Sequence, residues 1–203
     1  MLKALAHALD WLLDLTRGIS RLSVWLAGAF MFGTVFMVAA EVILRKFGSA
    51  LITGASEIGG YMLAICSVWA FSFTLLSRAH IRFDILYGRL GPAARAVADL
   101  LGLIALGVFA FIVAEHAYAV LATSISFNAQ SVSSLSTPLW IPQSIWFGGI
   151  AFLCWTVSIL ALRVLVALLM GDLATVARLA GARMAEEEIE AEAGDVLNTA
   201  AKG

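Results

Sequence analysis

From Leu22 to Leu44, Ile58 to Leu76, Val97 to Leu121 and Ile141 to Met170 the chain runs almost wholly apolar. A helix needs about 20 residues to cross the hydrocarbon of a bilayer. Backbone polar groups there must be satisfied within the segment, so each run is predicted to be a transmembrane helix. Composition agrees: 62% of the 203 residues are hydrophobic and 13% are charged, against about a quarter charged in a soluble domain. The expected fold is an all-α membrane protein with four transmembrane helices over residues 22–170. The third run weakens where Glu115, His116 and Tyr118 interrupt it, and the fourth is long enough to tilt or protrude. No A-x-A-like site follows the first apolar run, so no cleaved signal peptide is expected.

Lys and Arg fix the expected orientation, because short cytoplasmic connections carry an excess of them. Lys3, Arg17 and Arg21 precede the first run; Arg78, Arg82, Arg89 and Arg95 join the second to the third; Arg163, Arg178, Arg183 and Lys202 belong to the end of the fourth and the tail. Only Arg45 and Lys46 fall on the other side, and the connection Ser124–Trp140 has no Lys or Arg. Eleven positive residues against two predict cytoplasmic N and C termini, with the charged segment "SRAHIRFDIL" (Ser77–Leu86) held at the same face.

Two flanking segments read differently from the spans. In residues 1–21, Lys3, His7, Asp10, Asp14, Arg17 and Arg21 recur every three or four positions and form one polar stripe on an otherwise Leu-rich helix. Such a helix is expected along the membrane surface or against a partner subunit, a plain cytoplasmic extension of the first span being the alternative. Residues 171–203 form a tail whose acidic run, Glu186 to Asp195, is expected to be a solvated and partly disordered end.

Ionisable residues in or beside the spans mark candidate sites. Glu41 and Arg45 stand at i and i+4, a spacing that pairs them on one face. Ser56 or Glu57 is placed to cap the second span, a contact to a partner protein being the other reading of Glu57. Asp99 is expected in the first turn of the third helix after Gly91-Pro92, and Glu115 with His116 as a satisfied interfacial pair. Ala29 with Gly33, Gly59-Gly60 and Gly148-Gly149 suggest close helix contacts. Trp25, Trp69, Trp140, Trp146 and Trp155 are candidate interfacial anchors, Trp140 and Trp146 fitting best. Cys66 and Cys154 sit in apolar runs and suggest neither a disulfide nor a metal site. No Gly-rich phosphate loop, HExxH or CxxC is present, so neither an enzyme nor a cofactor is expected. A haem-binding anchor needs axial ligands at matching depth, and His80 and His116 fall at opposite ends of the membrane.

The order of these features resembles the small membrane subunit of tripartite ATP-independent periplasmic (TRAP) transporters, the DctQ-like family, from about Ser20 to Leu168. The similarity rests on "EVILRKF" (Glu41–Phe47), on Glu57 opening the second span, on the Arg-x-His-Ile-x-x-Asp pattern of Arg78, His80, Ile81 and Asp84, and on Pro138 and Pro142 in "STPLWIPQSIWFGG". Lys46-Phe47 and "ITGAS" depart from the family's usual residues in the first outer loop. The resemblance implies four helices with both termini cytoplasmic in the bacterial inner membrane. It implies a large membrane subunit carrying the substrate and sodium sites, and a periplasmic binding protein that delivers an organic acid. The small subunit would be a fixed scaffold in contact with lipid, with no role for nucleic acid. Glu41, Arg45, Glu57, Arg78, His80, Ile81, Asp84, Pro138 and Pro142 become candidate partner contacts. A self-sufficient small carrier using Glu41 or Glu115 is the rival reading, and the almost wholly apolar midspan residues weigh against it.

Overall fold

A computed structural model describes residues 2–48, 54–78, 90–133 and 135–181. Five helices follow one another: α1 (Leu2–Lys46), α2 (Ala55–Leu76), α3 (Pro92–Ser126), α4 (Trp140–Leu169) and α5 (Leu173–Ala180). The described residues contain no strand, only an isolated antiparallel bridge between Gln130 and Pro138. The first four helices are long and apolar enough to cross a membrane. They alternate in direction, so the 47–54 and 127–139 connections share one end of the bundle, the loop end. Helix α5 marks the other.

The polar-striped arm and the first span are one helix. Helix α1 has 45 residues, about 68 Å at 1.5 Å per residue, far more than the hydrocarbon thickness. Its arm buries a seam one position aside from the polar stripe: Ala6, Leu9, Leu13, Thr16, Ser20 and Ser23 face inward. Lys3, His7, Asp14, Arg17 and Arg21 stay exposed. The arm is thus an extension of the first span that packs on its own bundle.

Helix α4 is the hub. It contacts α1, α2, α3 and α5, because its apolar residues run all round rather than along one stripe. At the α5 end, Leu9 and Leu13 of α1, Leu103 of α3, Leu160 and Val164 of α4 and Val176 of α5 close into one apolar cluster. Nearer the loop end a second cluster joins Val68, Ala110, Ala117, Ile150 and Cys154. Two glycines set the close approaches. A Cβ on Gly149 would lie 2.6 Å from Val68 Cγ2, and one on Gly107 would lie 3.2 Å from Val157 Cγ1. Gly59 and Gly148 also face neighbours, whereas a Cβ on Gly33 would meet nothing within 4 Å among the described residues.

Short-range chemistry fixes the helix ends at the α5 side. Pro92 occupies the first turn of α3, where a missing N–H costs nothing. Asp99 lies well beyond that turn and is buried, unlike the helix-start position expected for it; the helix begins at the proline rather than at Val97. Asp172 caps α5, accepting from the Thr175 amide at 3.0 Å and the Thr175 hydroxyl at 2.6 Å. The helical chain therefore continues past Met170, and the acidic run 186–195 lies outside the described residues.

Candidate functional site

The loop end is built around Glu57. Gly54 precedes α2 with φ 86°, a backbone conformation that glycine adopts freely. A Cβ there would stand 2.0 Å from Leu135 Cδ1, so the second connection seats directly on the first. No side chain caps α2, contrary to the capping role open to Ser56 and Glu57. The Glu57 carboxylate instead accepts from the Tyr61 hydroxyl at 2.7 Å, one turn along α2, and from the Ser133 hydroxyl across the gap. The Ser131 hydroxyl donates to Ser133 Oγ at 3.1 Å. Backbone bonds complete the loop: the Ser131 amide donates to Thr137 O at 2.9 Å and the Leu139 amide to Ala129 O at 3.0 Å. An otherwise uncharged Ser-rich connection thus acquires a defined shape from one carboxylate supplied by α2.

Both prolines serve this end. Pro138 sits in the bridge with Gln130, and its carbonyl accepts from the Ile141 amide at 3.2 Å. Pro142 is buried in the first turn of α4, where its lack of an N–H leaves nothing unsatisfied. Glu41 is buried near the end of α1 and pairs with Arg45, whose side chain remains 66% exposed. The Trp69 indole donates to Ile145 O at 3.0 Å and its ring stacks on Phe152. Trp155 lies within 3.4 Å of the Thr16 hydroxyl. Trp69 and Trp155 therefore both make inter-helix contacts.

At the α5 end, Arg163 reaches the arm. Its Nε donates to Asp10 Oδ1 at 2.7 Å and its Nη2 to Asp10 Oδ2 at 3.1 Å, a two-pronged pair. Arg78, at φ 57°, extends toward Ala177 O of α5 at 3.4 Å. His80, Ile81 and Asp84, the rest of that motif, lie outside the described residues. The Asp10–Arg163 pair is legible only in part from sequence: the stripe identifies Asp10 and the span identifies Arg163, but nothing local joins residues so far apart.

Between these ends the helices are unbroken, and most of their hydroxyls bond their own backbone, while the buried Ser72 hydroxyl of α2 meets Thr156 Oγ1 of α4 at 3.2 Å. Thr34 donates to Phe30 O, Ser67 to Leu63 O, Thr156 to Phe152 O and Ser158 to Cys154 O. Such i−4 bonds satisfy a hydroxyl in an apolar helix. Among the described residues no three or more His, Cys, Asp or Glu side chains gather as metal ligands would.

Residues 34–171 match the family model described as "Tripartite ATP-independent periplasmic transporters, DctQ component". The chain belongs to this DctQ family. It is a small membrane component of a TRAP transporter and a multi-pass inner-membrane protein. No characterised protein and no solved structure shows significant similarity to the chain. The DctQ match opens in the last third of α1 and closes just past α4. It takes in Glu41–Arg45, Glu57 with its loop, and Arg163, and leaves the arm and α5 outside.

One pair expected from sequence does not form. His116 Nδ1 bonds the Ile112 carbonyl at 2.8 Å, and Glu115, the neighbouring residue, turns to an apolar groove between α3 and α4. Consecutive residues on a helix point about 100° apart, so adjacent charges in sequence seldom meet.

Proposed function

We propose that this DctQ component is a fixed scaffold. It holds the large membrane subunit of its TRAP transporter in place for sodium-coupled uptake of an organic acid that a periplasmic binding protein delivers. The observation that carries this reading is the midspan itself. A carrier builds its solute site from polar groups or broken helices near the bilayer centre, and here the helices are continuous and their hydroxyls bond their own carbonyls or, for Ser72 and Thr156, each other. Of the two carboxylates a self-sufficient carrier would use, Glu41 is already paired with Arg45, and Glu115 stands in its groove without a second charged group and beside unbroken helices. Both termini face the cytoplasm in this scheme, with the eleven positive residues. The loop end then faces the periplasm, and the connection shaped by Glu57 is the docking surface for the binding protein.

Reconstitution tests the reading. Proteoliposomes holding this chain with the large subunit should take up solute when binding protein and a sodium gradient are supplied. Proteoliposomes holding this chain alone should not. Sodium-driven uptake by the chain alone would overturn the scaffold assignment.

A further inference from the structure

The groove between α3 and α4 has a volume of about 770 Å³ and is lined by Leu103, Val108, Phe111, Phe147 and other apolar residues, with Glu115 as its one carboxylate. Two small residues line it, Ala114 on α3 and Ala161 on α4, while Gly107 at its base is already covered by Val157 of α4. Its depth follows from a ring contact. Tyr118 meets Phe147 with centroids 5.9 Å apart, and the rise from Trp140 to Phe147 is about 10 Å. Glu115 lies nearly one turn further from the loop end, about 15 Å inside the start of α4. Among the described residues Glu115 has no hydrogen bond or ion pair, and it is exposed on the bundle surface. Charged groups at such a depth pair with one another or face a protein interior rather than lipid. The long outer face of α1 offers a contrast: Trp25, Phe32, Val35 and Phe36 are exposed there without any charge among them, which suits acyl chains.

We propose that the α3–α4 groove seats a transmembrane helix of the large subunit, and that this helix brings an Arg or Lys side chain to Glu115. The inference rests on the scaffold reading above and adds the face through which the scaffold acts. Close packing at Ala114 and Ala161 supplies the van der Waals contact that drives helix association in lipid, and the carboxylate supplies register.

The test uses the full complex in native membranes. A photo-crosslinking residue is placed at Val108 or Phe111 in the groove, and at Phe32 or Phe36 on α1. Adducts with the large subunit are expected from the groove positions and not from α1. Adducts from α1 alone would overturn the groove while leaving the scaffold reading intact. Absence of adducts from every position, together with failure of the two subunits to co-purify, would sink the scaffold reading itself. Recovery of lipid adducts alone from 108 and 111, with the subunits still co-purifying, would overturn the groove in favour of a lipid site. The charge is tested separately: Glu115→Lys should lower large-subunit recovery at least ten-fold, and Glu115→Gln should lower it less. Because Glu115 has no partner among the described residues, the isolated Glu115→Lys protein should keep its helical content and melting temperature. Undiminished recovery of the large subunit with Glu115→Lys would refute the cationic contact.

Discussion

The Asp10–Arg163 pair predicts an asymmetry between two deletions of the same contact. The Arg163 side chain is 8% exposed and that of Asp10 is 45% exposed. Removing the carboxylate with Asp10→Ala leaves a guanidinium in the apolar cluster of Leu160 and Val164. Breaking a fully buried pair this way costs about 3–5 kcal/mol. Asp172 is a second acidic neighbour of Arg163 and offsets part of that loss, so about 2–3 kcal/mol is expected. Removing the cation with Arg163→Met leaves Asp10 half in water, where it can hydrate. The new side chain is apolar and unbranched and fills the same space, so the cost should stay below about 1 kcal/mol. For comparison, the exposed Asp14–Arg17 pair on the same arm, at 2.8 Å, belongs to a class worth about 0–1 kcal/mol. The assay is denaturant unfolding in detergent micelles, with thiol labelling of Leu13→Cys as a local probe, since Leu13 is 1% exposed beneath the arm. Asp10→Ala should lower the midpoint and expose Cys at position 13 early; Arg163→Met should do neither. Equal losses for the two variants, or a larger loss for Arg163→Met, would refute the argument that desolvation of the guanidinium governs this contact.

Four shorter predictions follow from other contacts. Gly149→Ala should destabilise by about 1–3 kcal/mol, because its Cβ would stand 2.6 Å from Val68 Cγ2 and 3.0 Å from the Trp69 ring; a melting temperature equal to the parent's would show that α2 and α4 can separate freely. Glu57→Ala should speed amide exchange in the 127–139 connection and weaken transport at limiting binding protein, with the membrane subunits still co-purifying; unchanged exchange would remove the clamp role. Val132→Cys, at a fully exposed loop-end position, should react with impermeant thiol reagents from the periplasm and Arg17→Cys from the cytoplasm, and the reverse pattern would invert the topology. Asp172 is held below the usual aspartate range by the Thr175 hydroxyl and then the Thr175 amide; a lowered folded value means the α5 cap is fully effective above about pH 4 and is lost as pH falls through that value. Amide exchange in α5 should therefore be flat from pH 7 to 5 once corrected for intrinsic rates, and a rise near pH 6 would contradict it.

What the sequence makes legible here depends on how far each signal reaches along the chain. The four spans are written in runs of some twenty residues or more, so their number and class are readable without any tertiary information. The Glu41–Arg45 pair is readable for the same reason, since both partners belong to one helix turn. Glu57 shows the limit. Its position before an apolar run fits a cap, and only the fold reveals that Ser133, 76 residues on, takes the carboxylate instead. The arm shows a second limit. A polar stripe locates the side that stays wet, but an amphipathic helix can bury its remaining surface in a membrane, in a partner or in its own bundle. Asp10 and Arg163 hold one side of the arm on the bundle, through a contact spanning 153 residues, while Trp11 and Leu15 on its other side stay exposed. The same reasoning separates the two carboxylates near the loop end. Glu57 and Glu115 are each single acids beside apolar runs. Glu57 finds hydroxyls within its own chain, and Glu115 finds none among the described residues. A carboxylate left open on an apolar groove is a demand that the described residues do not meet. In a protein whose family works as one component of a larger transporter, an unmet demand of this kind points toward the missing component.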